Sequence, residues 1–391
     1  MRDINYFNRE FAYRPLQCVA VASRPLRVDE LAEFLAFDFK TGSVPKFREG
    51  WRLPDPVEAV LSTCSTLLSV INIDGSQLVQ FSLFPVKEYL TSHRLAETED
   101  SISRRYHVSM RHAHTLAAQA CLGLLLHLDE DTRLDNYPLA EYTAEHWIDH
   151  CHFENVSGIV EGALKRLFHP RQPHLAIWLW IYDPTLDFWE RMKQKRAERP
   201  LPPSGTRLHY AARCGLHTIV KFLVIEHSQD VNSSRSDNMS TPLFEATLWG
   251  YVEVVRVLLE CGADSSAQDN DEQSPLHYAS FQENVKLARM LLEGGADLNA
   301  QDRNGQSPLY FAWFHGHAEL ARVILEGGAD LNAQDKDGQS PLLSALSEEH
   351  EELARMLLER GADLSAQDKD GWSPLHFCVV RRASGTRSDA S

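Results

Sequence analysis

The chain has 391 residues, with 39 Lys plus Arg against 55 Asp plus Glu, and is 43% hydrophobic and 24% charged. That profile is typical of a globular protein long enough for two or three domains. A formal charge of -16 argues against an electrostatic grip on nucleic acid or on an anionic membrane, both of which need a positive footprint. Seven cysteines (Cys18, Cys64, Cys121, Cys151, Cys214, Cys261, Cys378) include no CxxC pair and lie in apolar contexts, so they read as reduced thiols of a cytoplasmic or nuclear protein. The opening MRDINYFNRE is too polar for a signal peptide, and runs such as LAIWLWIY from Leu175 are too short to span a membrane, so neither export nor membrane insertion is expected.

In chain order, Phe11 to Ser23 and Val28 to Phe37 read as helices joined by RPL, and Pro56 to Thr66 as a third. LLSVINIDGSQLVQFSLF then alternates polar and apolar residues on both sides of an Asp74-Gly75 turn, the pattern of a β-hairpin. Three helices followed by a hairpin is the order of a winged helix. The stretches RPLRVDELAEFLAF from Arg24 and QFSLFPVKEYLTSHR from Gln80 resemble the winged-helix segment that follows the NTPase core in fungal NACHT-type, NOD-like signalling ATPases. The resemblance covers residues 10–95. Residues 96–193 read as further helices, including RYHVSMRHAHTLAAQACLGLLLHL and YPLAEYTAEHWIDHCH, with Trp147, Trp178, Trp180 and Trp189 fitting a packed core. In proteins of the resembled kind, such helices bridge the winged helix to a repeat array.

The charge run and prolines of QKRAERPLPPSG, residues 194–205, read as a linker. Residues 1–200 hold 23 basic and 27 acidic side chains, net -4, which leaves -12 on the remainder. Beyond the linker, Thr206, Thr241, Ser274, Ser307, Ser340 and Ser373 recur at a separation of 35 and then 33 residues. Ser or Thr caps a helix, and the Pro that follows all but the first occupies a helical position needing no donor; Arg207 takes its place there. A second helix ends at Gly295, Gly328 or Gly361, and turns at Gly305, Gly338 and Gly371 lead to the next cap. These units, with TPLH-like and GADxNAxD signatures, resemble ankyrin repeats over residues 203–380: six units, the last incomplete before a disordered tail at 381–391. Met239 and Glu272 replace the turn glycine in two units, where looser hairpins are expected. The expected fold class is mainly α: a winged-helix-like module, a helical bridge and an ankyrin solenoid.

No GxxxxGK[ST], GxSxG, HExxH or GxGxxG occurs, so no nucleotide hydrolysis, other catalysis, cofactor, metal or small-molecule substrate is expected. His146, His150, Cys151 and His152 are the best metal candidates, but an ordinary histidine cluster is the preferred reading, and His112 and His114 receive no role. PVEAVLSTCST, where a winged helix would read DNA, has no Lys or Arg, which disfavours a transcription-associated binder.

Ankyrin arrays bind protein partners through hairpin tips and the inner face of the first helices, and the resemblance carries that role onto particular positions here. They are Trp249, Phe281, Gln282, Arg303, Asn304, Gln306, Phe314, His315, Lys336, Asp337, Gln339, Lys369, Asp370 and Trp372, with Asn270, Asp271 and Gln273 in equivalent places. Trp249, Phe281, Phe314 and Trp372 are expected to form a discontinuous aromatic stripe. The competing reading has these rings fold back as filler between repeats. A non-catalytic interaction scaffold from the sensor side of a NOD-like protein is therefore expected, with the C-terminal part of a NACHT NTPase, its P-loop domain upstream or in trans, as the alternative. As a framework test, Ser307→Ala is expected to lower the array's stability by on the order of 1 kcal/mol in chemical denaturation, the usual loss for a helix cap.

Overall fold

The computed structural model describes residues 9–40, 44–52, 54–58, 60, 67–98, 106–187, 190–191, 202–348 and 350–376. The chain divides into two compact units between Pro203 and Ser204. The expected linker up to residue 201, the tail at 381–391, Trp189, and residues 61–66 of the expected third helix lie outside the described residues.

In the first unit, helix α1 (Arg9–Val21) leads to strand β1 (Leu26–Arg27) and helix α2 (Val28–Phe34). Strands β2 (Phe37–Asp38) and β3 (Lys46–Phe47) form a small antiparallel pair, and residues 56–58 and 60 are helical. Strands β4 (Leu68–Ile73) and β5 (Ser76–Phe81) make the hairpin, with Asp74 at φ 49° and Gly75 at φ 82°. Two consecutive left-handed residues are what a two-residue turn matched to strand twist requires. Strand β1 adds to the free edge of β5, Leu26 opposite Val79, giving the sheet order β1-β5-β4. Leu16, Leu26, Leu31, Phe34, Leu68 and Val79 fill the space between this sheet and the helices.

The second helix ends three residues earlier than expected. Phe37 leaves it to pair with Phe47 across β2 and β3, their rings 5.1 Å apart, so cross-strand packing overrides the helical pattern there. Two buried carboxylates tie the module together. Glu30, fully enclosed, accepts from Arg24 at 2.6 Å and 2.9 Å and from the Arg27 amide at 2.7 Å. Glu33 pairs with Arg52 and accepts from the Leu139 amide at 2.8 Å. An enclosed carboxylate is tolerated only with such partners.

Beyond the wing come α3 (Phe84–Thr91), α4 (His93–Ala96), α5 (Met110–Leu125), α6 (Ala140–His152), α7 (Val156–Ile159), α8 (Glu161–Leu167) and α9 (His174–Ile181). Helix α5 packs against both α6 and α1. Trp147 and Trp178 meet edge to face at 5.2 Å, and the Trp178 indole donates to the Ala144 carbonyl at 2.9 Å, while Trp180 is half-buried. Burial pushes the Cys121 thiol up to about 12 and raises Cys18 as well, so both are unreactive packing groups.

The second unit stacks helix pairs: Arg207–Arg213 with His217–Lys221, then Pro242–Leu248 with Val252–Glu260, Pro275–Phe281 with Val285–Glu293, Pro308–Phe314 with Ala318–Glu326, and Pro341–Ser347 with Glu351–Glu359. In each pair the first helix is called inner and the second outer. A sixth inner helix begins at Pro374, and its continuation lies outside the described residues. The caps act as the residue types require: Ser307 Oγ accepts from the Tyr310 amide at 3.3 Å, and Ser340 Oγ from that of Leu343 at 3.3 Å.

Histidine three residues after the cap does more than cap. His277 Nδ1 accepts from the Ser274 amide at 3.0 Å, while its Nε2 donates to the Gln306 carbonyl of the next hairpin at 3.1 Å. His209 does the same between Thr206 at 3.1 Å and Ser240 at 3.0 Å. Later hairpins are braced by an aspartate: Asp302 Oδ1 accepts from the Asn304 and Gln306 amides at 2.8 Å and 2.9 Å, and Asp335 and Asp368 repeat the arrangement.

The expectation of looser hairpins at Met239 and Glu272 is corrected. Both adopt φ 60°, and their hairpins close at 2.9 Å (Arg235 to Ser240) and 3.0 Å (Asp269 to Gln273), as tightly as the glycine-bearing turn at 3.0 Å (Asp302 to Gln306). Neighbouring hairpins hold the backbone in place, and the substitution is met as left-handed strain. Glu272→Gly is expected to raise the array's stability by on the order of 0.5–1 kcal/mol, read as a higher denaturant midpoint.

A pH effect follows from the capping histidines. Burial holds His209 down to about 4 and lowers His277, which keeps each ring neutral and able to accept at Nδ1. Their folded values lie below the unfolded one near 6.5, so their contribution is complete above that value and drains away as pH falls from there toward 4. His209→Ala is expected to destabilise the array at pH 7.5 and to remove roughly 1.4 kcal/mol per pH unit from the decline between about pH 6 and pH 4, measured against the parent by denaturation.

Candidate protein-binding surface

The surface is built by register. Hairpin tips bond to one another across repeats: the Arg303 amide donates to the Asp271 carbonyl at 3.1 Å, Lys336 to Asn304 at 2.8 Å, and Lys369 to Asp337 at 2.9 Å. The turns after the outer helices are linked by a second ladder, in which the Asp264 amide donates to Asn232 Oδ1 at 2.8 Å, Asp330 to Asn299 at 2.9 Å, and Asp363 to Asn332 at 2.8 Å. With both ends of each repeat fixed, the last turns of successive inner helices lie side by side.

Counted from its cap, each inner helix from the second repeat to the fifth ends in two framework-free positions. The first holds Leu248, Phe281, Phe314 and Ser347; the second holds Trp249, Gln282, His315 and Glu348. Trp249 is 50% exposed, Phe281 52% and Phe314 43%, so none of these rings is sealed into the interior. They still touch. The Arg213 guanidinium lies over the Trp249 ring at 4.8 Å and is itself paired with buried Glu245 at 3.0 Å. Gln282 donates to the Leu248 carbonyl at 2.6 Å. Phe281 meets His315 edge to face at 4.8 Å, His315 meets Phe314 at 5.2 Å, and Phe314 stacks on Tyr310 at 6.0 Å. His317 and His350 donate to the Phe281 and Phe314 carbonyls at 3.2 Å and 3.3 Å, which pins the ends of those inner helices to the next repeat.

The expected four-ring stripe is therefore corrected in its membership. Trp249 belongs to the column beside that of Phe281 and Phe314. Trp372, 42% exposed, lies in the hairpin arm at the position of Gln306 and Gln339, because it directly precedes the cap Ser373. Arg213 and Tyr310 join the surface although sequence reasoning did not select them. Arg213, seven residues after the cap Thr206, holds in the first repeat the position of Leu248, Phe281 and Phe314.

The hairpin candidates divide. Arg303 pairs with Asp271 at 3.4 Å and Lys369 with Asp337 at 3.2 Å, while Lys336 Nζ donates to the Arg303 carbonyl at 2.6 Å. These contacts are exposed and therefore weak, so the charges are still presented to solvent. Gln339 is more committed, its amide donating to Asp368 of the next hairpin at 3.1 Å, as Gln273 does to Asp302 at 3.4 Å. Asn304 and Asp370 stand exposed at the tips, Gln306 is half-buried beside Tyr310, and the Asn270 side chain donates to the Asp237 carbonyl at 3.0 Å. Arg235, where other hairpins have the bracing aspartate, is buried although its residue type suggests a solvated turn. It pairs with Asp237 at 2.5 Å and faces Glu245 at 3.8 Å.

In the first unit the histidines form a packed cluster. His150 Nε2 lies 3.0 Å from the Tyr142 hydroxyl, and its Nδ1 lies 3.0 Å from His114 Nδ1. The sequence reading gave His114 no role, but its ring also stacks on Phe153 at 4.1 Å. Burial first, and then the neighbouring His114, push His150 down to about 3. His146 pairs with Asp149 at 3.0 Å, Cys151 is buried and His152 exposed. Among the described residues no three His, Cys, Asp or Glu side chains gather as a metal-ligand set.

A family model described as ankyrin repeats (three copies) matches residues 192–269, 208–302, 262–335, 295–368 and 327–386. A second, described as GPI inositol-deacylase, winged helix domain, matches residues 4–102. No curated protein matches the chain. The fold and the exposed inner-helix columns thus define an ankyrin-repeat protein, a non-catalytic interaction scaffold in that half of the chain. Its N-terminal part is a winged-helix domain of the GPI-inositol-deacylase type, the region associated with NACHT proteins. No helix among the described residues is long and apolar enough to cross a membrane.

Proposed function

We propose that the chain is a non-catalytic recognition module, the sensor-side part of a cytoplasmic NOD-like signalling protein, which captures a protein partner on the inner-helix columns and hairpin tips of its ankyrin array. The observation that carries this reading is the run of half-exposed rings and charges through Arg213, Trp249, Phe281, His315, Phe314 and Tyr310, held in register by hairpin bonds. Rigid aromatic side chains framed by polar groups are the usual anchors of protein interfaces. Arg303, Asn304, Gln306, Lys336, Asp337, Gln339, Lys369, Asp370 and Trp372 supply the polar margin, with Gln282 between the rings. The winged-helix match favours a second reading, in which the chain is the C-terminal regulatory part of a NACHT NTPase whose P-loop domain lies upstream or in trans. Both readings place recognition on the same ankyrin face.

Phe281→Ala combined with Phe314→Ala is expected to weaken capture of the native partner at least tenfold in pull-down and titration, with the unfolding midpoint nearly unchanged. Leu358→Ala, on an outer helix, serves as the exposed control and should leave capture intact. Loss of the folded array in the double variant would show the rings to be filler and remove the basis of the proposal.

A further inference from the structure

The helices after the wing carry a cation with no counter-ion. Arg166, exposed on the last turn of α8, has no ion-pair partner among the described residues, whereas Lys165 beside it pairs with Glu161 at 3.1 Å. Arg166 borders two cavities. The smaller, about 130 Å³, is lined by Arg166, His169, Gln172 and His174, with no acidic residue among the described residues of its wall. His174, the first residue of α9, has a buried Nδ1 without a hydrogen-bond partner. A buried polar atom left in that condition is costly unless something outside the chain satisfies it. The larger cavity, about 640 Å³, is bordered by Lys46, Phe47, Arg48, Leu126 and His127, again without a carboxylate among the described residues of its wall. Arg48 is answered by Asp38 at 3.3 Å and His127 faces Glu49 at 3.7 Å, while Lys46, like Arg166, has no ion-pair partner among the described residues.

Arg166 and Lys46, an orphaned imidazole nitrogen and a glutamine amide, around two cavities that share Arg166, call for an oxyanion. Phosphate suits it best, since the guanidinium fork bonds two of its oxygens at once and further oxygens remain for neutral donors. We propose that the recess beside α8 and α9 binds a phosphate group through Arg166, His174 and Gln172, and that the larger cavity, which shares Arg166, receives the organic part of a phosphate monoester alongside Lys46 and Phe47.

The test titrates the full chain, isotopically labelled at histidine, with inorganic phosphate and with phenyl phosphate at constant ionic strength, following the His174 ring resonance by NMR. A saturable displacement is expected with both anions, tighter for phenyl phosphate. Arg166→Gln should weaken each by about tenfold or more, with Arg166→Lys intermediate and Arg133→Gln, an exposed guanidinium elsewhere, without effect. Arg166 is exposed, so its variants should keep the parent's unfolding midpoint, which is measured alongside. No saturable response at tens of millimolar, or identical curves for the parent and Arg166→Gln, would overturn the site. Equal affinity for the two anions would overturn the role of the larger cavity.

Discussion

The backbone bond from one hairpin tip to the next is the constraint from which the ankyrin half derives its order. A single helix pair cannot bury its own apolar face, so Leu276, Leu287, Leu309 and Leu320 become fully enclosed only because adjacent units press together. Burial alone sets distance but leaves one unit free to slide along its neighbour. The donors that run from Arg303 to Asp271, Lys336 to Asn304 and Lys369 to Asp337 remove that freedom, because a slip would break several bonds together. The capping histidines extend the same lock into the interior, joining the start of one inner helix to the hairpin of the next repeat. Exposed rings that would otherwise explore many arrangements are thereby presented with little ordering entropy left to lose on binding.

The first unit solves the matching problem differently. Its three-stranded sheet is small, and β1 contributes only two residues to it, so sheet burial supplies limited specificity. Enclosed carboxylates provide the rest. Glu30 holds the turn before α2 to Arg24 and Arg27, and Glu33 reaches from α2 to the amide of Leu139 just ahead of α6. Because an ion left unpaired in such a place is costly, these two contacts leave one arrangement of winged helix and following helices favoured over its neighbours.

What could be read in advance follows the range of the interaction. The caps Ser307 and Ser340, the turn at Asp74 and Gly75 and the spacing of the leucines are local, and each declares itself within a few residues. The strands β1, β2 and β3 did not, because two residues are too few to show alternation and their partners lie elsewhere in the chain. His114 and His150 are 36 residues apart and meet only because α5 packs on α6. At the candidate surface the periodicity located Phe281, Gln282, Phe314 and His315, while the one-position offset of Trp249 needed residue-by-residue alignment from the cap. Arg213 over Trp249 joins two repeats across their different columns and needed the packing to be seen, and the burial of Arg235 could not be foreseen, since a charged residue in a turn is ordinarily solvated.

The distribution of strain and polarity along the array bears on where recognition concentrates. Hairpin-tip charges are partly occupied: Arg303, Lys336 and Lys369 each spend contacts on the preceding hairpin, and Gln339 reaches toward the following one. A partner engaging them must compete with bonds already made, so their net contribution is small and lies mainly in steering and selectivity. The ring columns carry no such competition, for edge-to-face contacts such as Phe281 on His315 leave half of each ring open. Apolar area still open to water and already fixed in orientation is where association gains most. Under the proposed function, the weight of binding would therefore fall on the middle of the array, between the repeat of Trp249 and that of Phe314, with the hairpin tips selecting among partners.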